Sequence, residues 1–182
     1  NTFETEWGFS CMGYEISGAL GIKMAKPDQD VIVFIGDGSY LLANSDIYSS
    51  VIYDKKLIIV VCDNGGHMVI NRLQLAKGGK EYICNLRAAR ASNLQFVDFE
   101  AHAKSMGANG ETVSSTSELE AAFLRAKKSD KTYVIALKTD GYQWLDGTAF
   151  WESPTLEVHS TEENKKAYSD FVEGKNKQRK GV

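Results

Sequence analysis

Two short apolar runs, each halted by a small polar turn, constrain this chain more than any other feature. Val31-Ile-Val-Phe-Ile35 runs into Gly36-Asp37-Gly38-Ser39, and Leu57-Ile-Ile-Val-Val-Cys62 runs into Asp63-Asn64-Gly65-Gly66. Both runs are rich in β-branched side chains, which pack well in strands. Neither alternates with polar residues, so each predicts a strand buried on both faces, as in a parallel sheet. In open parallel sheets ligands collect beyond the carboxyl ends of the strands, and Asp37 and Asn64 fall at those ends. The flanking glycines let backbone approach a ligand closely, and free N–H groups there cradle phosphate. A carboxylate and an amide oxygen beside a phosphate suit Mg²⁺, a hard cation that shares its octahedral site with substrate phosphates. The two turns together therefore predict a metal–diphosphate site.

Length and composition set the bounds. A chain of 182 residues is one ordinary domain with room for an arm, and 43% hydrophobic residues are enough for a core. A net charge of −3 argues against a broad nucleic-acid or membrane footprint, and no apolar run has the length of a membrane span. Cys11, Cys62 and Cys84 form no CxxC pair, so neither a zinc site nor a disulfide framework is expected, and the cytoplasm is the default compartment. The chain starts at Asn1 without a basic-then-apolar leader; it reads as an internal piece of something longer, with no targeting signal.

In chain order, the pattern Tyr14, Ile16, Ala19, Leu20, Ile22 and Met24 predicts a helix from Met12 that stops at Pro27-Asp28. Residues 41–54 predict a second helix with Leu42, Ile47, Val51 and Ile52 on its inner face, completing a β–α–β unit. Val69–Leu73 reads as a short helix, and 77–93, where periodicity is weak, as a mobile loop. Asp98 is placed to cap a helix that buries Phe99, Ala103 and Met106 and ends at Gly107. Glu111–Val113 is a short strand, Ser117 to Glu120 reads as a capping box, and Thr132–Leu137 is a third strong strand. Beyond Thr139 come Tyr142, Trp144, Phe150 and Trp151, the mark of a docking arm, then a helical stretch over 160–175 with Tyr168, Phe171 and Val172 on one stripe. The expected fold class is α/β: a doubly wound, mostly parallel sheet with helices on both faces. The expected domains are 1–140, cofactor-binding, and 141–182, a C-terminal arm and helix.

A lone Gly-Asp-Gly is an ordinary strand-end turn. Gly36-Asp37-Gly38 followed 27 positions on (37 to 64) by an Asn turn, both ending buried strands, resembles the fingerprint of the thiamine-diphosphate-dependent superfamily that includes pyruvate decarboxylase and acetohydroxyacid synthase. Ser10-Cys11-Met12-Gly13-Tyr14 resembles the segment that enters the pyrophosphate-binding domain of that family, and the resemblance covers residues 5–140. It implies the thiamine-diphosphate-binding fold, with thiamine diphosphate and Mg²⁺ as cofactors. By it, Asp37, the Asn64 side-chain oxygen and the Gly66 carbonyl bind the metal, and Gly36, Gly38 and Ser39 belong to the diphosphate cradle. Met12 is the wedge that bends the cofactor, and Ser10 with Met12 holds the aminopyrimidine edge. His67, beside the metal turn, is a candidate cofactor contact or acid–base group; a structural histidine is the equal alternative. Where this chain has Asp63-Asn64 the family usually has Asn-Asn, which adds a carboxylate near the metal.

Cys11-Met-Gly-Tyr-Glu15, Asn71-Arg-Leu-Gln74 and Thr139-Asp-Gly-Tyr142 resemble the branch of that superfamily that acts in inositol catabolism. That branch implies a C–C hydrolase opening a cyclic 1,2-dione to 5-deoxy-glucuronate. The family's activating glutamate lies on a pyrimidine-binding domain of the same or a neighbouring subunit, so the resemblance implies a homodimer or homotetramer and a fragment inactive by itself. Two alternatives stand beside this one: a carboligase or 2-oxo acid decarboxylase of the same superfamily, and a non-catalytic phosphate- or nucleotide-binding module. Against the last, no GxGxxG or GxxxxGK[ST] motif follows any strand.

Overall fold

The computed structural model describes residues 2–5, 9, 11–144 and 155–178. The chain divides into two compact units, one of Asn1–Gly66 with Gln95–Asp140 and one of His67–Leu94 with Gly141–Val182.

The first unit is α/β. Strands β1 (Ile32–Gly36), β2 (Ile58–Asp63), β3 (Asn109–Val113) and β4 (Tyr133–Lys138) form an all-parallel sheet in the order β1-β2-β4-β3. Helices α1 (Tyr14–Ala25), α2 (Asp37–Leu42), α3 (Ser45–Ile52), α5 (Phe99–Ser105) and α6 (Thr116–Lys128) connect and cover it.

Because side chains alternate across a strand, β2 feeds two cores. Ile59 and Val61 join Val33, Ile35, Val134 and Ala136 on one face, where Ile16, Leu20, Tyr40, Ile47 and Phe99 pack over them. Ile58 and Val60 join Ile135 and Val113 on the other, under Ala122 and Ala126 of α6. The expectation of a strand buried on both faces holds for β2 but not for β1. β1 lies at the sheet edge, and Ile32 and Phe34 are 44% and 65% exposed. They stand in register with Ile58 and Val60, on the face that α6 covers over the inner strands but not over β1.

Three other expectations are corrected. The helix expected over 41–54 is two, α2 and α3, broken at Ala43-Asn44; Ile47 is buried, while Leu42 and Ile52 are exposed. The helix from Met12 begins at Tyr14, after a left-handed Gly13, and buries Ile16, Ala19 and Leu20 while Tyr14, Ile22 and Met24 stay exposed. The cap of α6 is Ser115, whose Oγ accepts the Glu118 N–H, and Glu118 reaches back to the Ser114 N–H at 2.8 Å; the Ser117–Glu120 pair plays no such part. Asp98 caps α5 as expected, accepting the Ala101 N–H at 2.9 Å. The phenol of Tyr40, pushed up in pKa by burial, contacts His102 Nδ1 at 2.9 Å and joins α2 to α5.

The second unit holds α4 (Met68–Ala76), a 3-10 turn at Leu86–Ala88 and α7 (Glu162–Lys177). The stretch expected to be a mobile loop is tied down by a polar knot. Glu81 Oε1 accepts from Asn71 Nδ2 at 3.0 Å and from Asn85 Nδ2 at 3.2 Å, and Asn85 also donates to the Tyr142 hydroxyl at 2.6 Å. Asn71 and Asn85 are fully buried. Arg72 lies over the Trp144 ring at 4.7 Å, and Asn164 of α7 donates to the Lys77 carbonyl at 3.1 Å. Phe150 and Trp151 of the expected docking arm lie outside the described residues. Among the described residues no helix is long and apolar enough to cross a membrane.

Two outcomes test this packing. Ile59→Ala empties the centre of the first core and lowers stability to chemical denaturation by about 3 kcal/mol. Glu111 receives Arg125 through Nε at 3.0 Å and Nη2 at 2.5 Å, and the Tyr133 hydroxyl at 2.6 Å. The Arg125 bond, and after it Tyr133, holds its carboxyl below the usual range against partial burial. Its stabilisation is therefore full above the ordinary value and lost as pH falls through the lower folded one. Glu111→Gln lowers the melting temperature at neutral pH, and the gap from wild type closes below about pH 4.

Candidate metal and diphosphate site

The ends of β1 and β2 are neighbours, with Gly36 in register with Cys62. One residue on from that pair stand side chains with oxygen, Asp37 just past β1 and Asp63 at the end of β2. Gly36 is still extended, and Asp37 opens α2, buried at 3% exposure. Two oxygens of its carboxylate divide the work. Oδ2 accepts the Gly66 N–H at 2.7 Å and the Gly65 N–H at 3.1 Å, so the second turn is strapped to the first. Those N–H groups point inward because Gly65 and Gly66 take φ of 86° and 140°, positive values that side chains disfavour.

Oδ1 faces the Asn64 amide. One terminal atom of that amide lies 3.3 Å from Asp37 Oδ1 and 2.8 Å from the Gly66 carbonyl oxygen. With nitrogen in that place, the amide donates to both. With oxygen there, the amide brings an oxygen within 3.3 Å of Asp37 Oδ1 and 2.8 Å of the Gly66 carbonyl oxygen, close to the ~2.9 Å between adjacent ligands on an octahedral ion. One rotation of the amide thus converts a closed hydrogen-bonded turn into an all-oxygen face for a hard cation. The local charge agrees. Burial, and after it the nearby Asp63, raises the Asp37 pKa, while N–H groups of Gly66, Gly38 and Gly65 oppose the shift. A buried carboxylate beside a second one is stabilised by a divalent cation, so the residues present fit Mg²⁺. Among the described residues there is no cluster of three His, Cys, Asp or Glu; this set is one carboxylate, one amide and one carbonyl.

The sequence-selected residues are distributed as follows. Gly36, Asp37, Gly38, Asn64 and Gly66 come together at the paired strand ends. Ser39 sits in the first turn of α2. It lines a cleft of ≈ 640 Å³ together with Met12, which is 44% exposed and so not a core residue. Ser10 lies outside the described residues. His67, half buried, is the N-cap position of α4 in the second unit, with no side-chain cap bond. Burial, then the Asp37 charge, pushes the Cys62 thiol above its ordinary range. The N–H groups of Gly65 and Gly66, expected free for phosphate, are instead taken by Asp37 Oδ2, that of Gly65 also by Asp63 Oδ1, because the carboxylates lie closer; the sequence patterns also pass over Lys138. Lys138 sits opposite Asp63 in the β2–β4 register and pairs with its carboxylate. Only the strand register brings them together, so no local signal could have shown it.

This fold and site define a cofactor-binding domain of the thiamine-diphosphate type, and comparison with known proteins agrees. Residues 1–137 match the family described as thiamine pyrophosphate enzyme, C-terminal TPP binding domain, and the chain belongs to that family. Over 174 residues, 92% of this chain and 26% of the relative, it is 40% identical to a 3D-(3,5/4)-trihydroxycyclohexane-1,2-dione hydrolase of Halalkalibacterium halodurans. It is 38% identical over the same shares to the Bacillus subtilis protein of that name. Among solved structures it resembles the thiamine diphosphate-dependent 4-hydroxybenzoylformate decarboxylase of Rhodococcus jostii RHA1, at 25% identity and a TM-score of 0.59, over 71% of this chain and 23% of that one. The chain spans about a quarter of the length of the curated relatives it matches.

The turn geometry yields a direct test. Gly65→Ala forces a β-carbon into a left-handed position, lowers stability by about 1–2 kcal/mol and loosens the strap to Asp37. Thermal melting and a Mg²⁺ titration should both register it.

Proposed function

We propose that this chain is the pyrophosphate-binding part of a thiamine-diphosphate- and Mg²⁺-dependent hydrolase that opens a cyclic 1,2-dione of the trihydroxycyclohexane type. The observation that carries the cofactor half is the convergence of Asp37 Oδ1, the Asn64 amide and the Gly66 carbonyl. The substrate half is supported by relatives sharing 35–40% identity under one hydrolase name.

In this reading Asp37, Asn64 and Gly66 hold the cation, and the first turn of α2, with Gly38 and Ser39, faces the diphosphate. Met12 supports the bent cofactor and Ser10 its aminopyrimidine edge. His67 is left as an acid–base candidate. When bound, thiamine diphosphate would supply a carbon nucleophile and an electron sink for C–C bond cleavage. The chain's own contribution is orientation: it fixes the diphosphate tail and metal on rigid strand ends. The activating glutamate belongs, in this reading, to a pyrimidine-binding domain of the same or a neighbouring subunit in a homodimer or homotetramer. A cytoplasmic location goes with this reading, as the default for a chain whose three cysteines form no CxxC pair.

A second reading, a 2-oxo acid decarboxylase or carboligase of the same superfamily, is favoured by the likeness to the Rhodococcus decarboxylase. Assay of the full-length protein on the cyclic dione and on pyruvate separates the two. Asp37→Ala in the full-length protein abolishes Mg²⁺-dependent binding of thiamine diphosphate measured by calorimetry. An unchanged affinity would overturn the site.

A further inference from the structure

Beneath the proposed ligands lies an ion pair to which they give no role. Asp63 is 6% exposed at the end of the central strand β2, and its carboxylate is met by the ammonium of Lys138, half exposed at the end of β4. Asp63 Oδ1 also accepts the Gly65 N–H at 3.2 Å, the same N–H that reaches Asp37 Oδ2 at 3.1 Å, and its backbone carbonyl accepts the Thr139 N–H at 2.9 Å. Asp63 therefore does two things. Its side chain closes the turn over 63–65 that aims the Asn64 amide and the Gly66 carbonyl. Its charge adds a second negative group beside Asp37, the two carboxylates sharing the Gly65 N–H.

Two carboxylates favour a divalent cation and repel a diphosphate. Lys138 reverses half of that balance. It supplies one positive charge at the end of β4, against the buried Asp63 carboxylate. We propose that Asp63 and Lys138 are a positioning and charge-balancing pair: Asp63 shapes the metal turn, and Lys138 offsets its charge so that the site takes a cation together with a diphosphate rather than a cation alone. This rests on the reading of the site as a metal–diphosphate site.

A brace and a charge balance differ in sign. Removing a brace weakens both ligands. Removing the Lys138 charge leaves the site more negative, so the cation alone binds more tightly and the diphosphate less tightly. Removing the Asp63 charge does the reverse. The full-length protein is titrated first with Mn²⁺ alone, followed by electron paramagnetic resonance, and then with thiamine diphosphate at saturating Mg²⁺, followed by calorimetry. Lys138→Met should tighten Mn²⁺ and weaken thiamine diphosphate, each on the order of three- to tenfold. Asp63→Asn, which keeps an oxygen for the Gly65 N–H, should weaken Mn²⁺ by a similar factor without weakening thiamine diphosphate. Lys138→Arg keeps the charge and should stay within about twofold of wild type. Both ligands moving in one direction in Lys138→Met, or neither moving, overturns the pair's role. Asp37→Ala is run beside these variants. If it retains both ligands, the metal–diphosphate site itself has failed. If it loses them, the Lys138 and Asp63 variants decide the role of the pair independently.

Discussion

A single carboxylate oxygen ties the ends of two strands together. Asp37 Oδ2 takes the N–H groups of both Gly65 and Gly66, and with them fixes where the second turn sits against the first. These are hydrogen bonds to a buried carboxylate, the kind that are short and hard to replace. Remove them and the Asn64 amide and Gly66 carbonyl have no fixed relation to Asp37 Oδ1. The candidate site is thus built on a structural strap: one oxygen holds the backbone, and the other faces the Asn64 amide.

The strap works because the platform under it is stiff. β2 is buried on both sides and pairs with β1 and β4, so neither partner can slide without exposing a row of Ile and Val. Parallel pairing also brings the carboxyl ends of all the strands to one edge of the sheet. An acid at the end of β1 and an amide after β2 are then neighbours by construction. The second unit is held differently, by a few polar side chains and cation–aromatic contacts. Its Asn71 Oδ1 is buried without a partner among the described residues, a place where an ordered water would complete the knot.

The site also shows how little of its electrostatics is local in sequence. Asp37, Asp63 and Lys138 come from three different strand ends, and their charges act on one another only because the register is what it is. The chain belongs to the family described as thiamine pyrophosphate enzyme, C-terminal TPP binding domain. The particular balance of two carboxylates and one ammonium is set by the residues of this chain.

Much of the architecture was legible in the order of the residues. The two β-branched runs, the turn glycines and the Asp98 cap each express short-range physics: side-chain branching, left-handed backbone, a side chain reaching three residues on. Asp37 and Asn64, each just past an apolar run, marked the candidate site before any coordinates, because parallel strands bring their carboxyl ends to one edge; their spacing added the resemblance to a known family. What could not be read there needed partners distant in sequence. Which strand lies at the edge, and so leaves Phe34 exposed, depends on the order of the sheet. That α2 and α3 break at Asn44, and that Ser115 rather than Ser117 caps α6, was settled by competing local bonds whose outcome packing decides. The Asn71–Glu81–Asn85–Tyr142 knot and the Asp63–Lys138 pair join residues that no window of sequence contains together. Sequence by itself determined the elements and which oxygens stand at the two strand ends; tertiary structure alone decided which charges surround them, because electrostatic energy depends on distance through space.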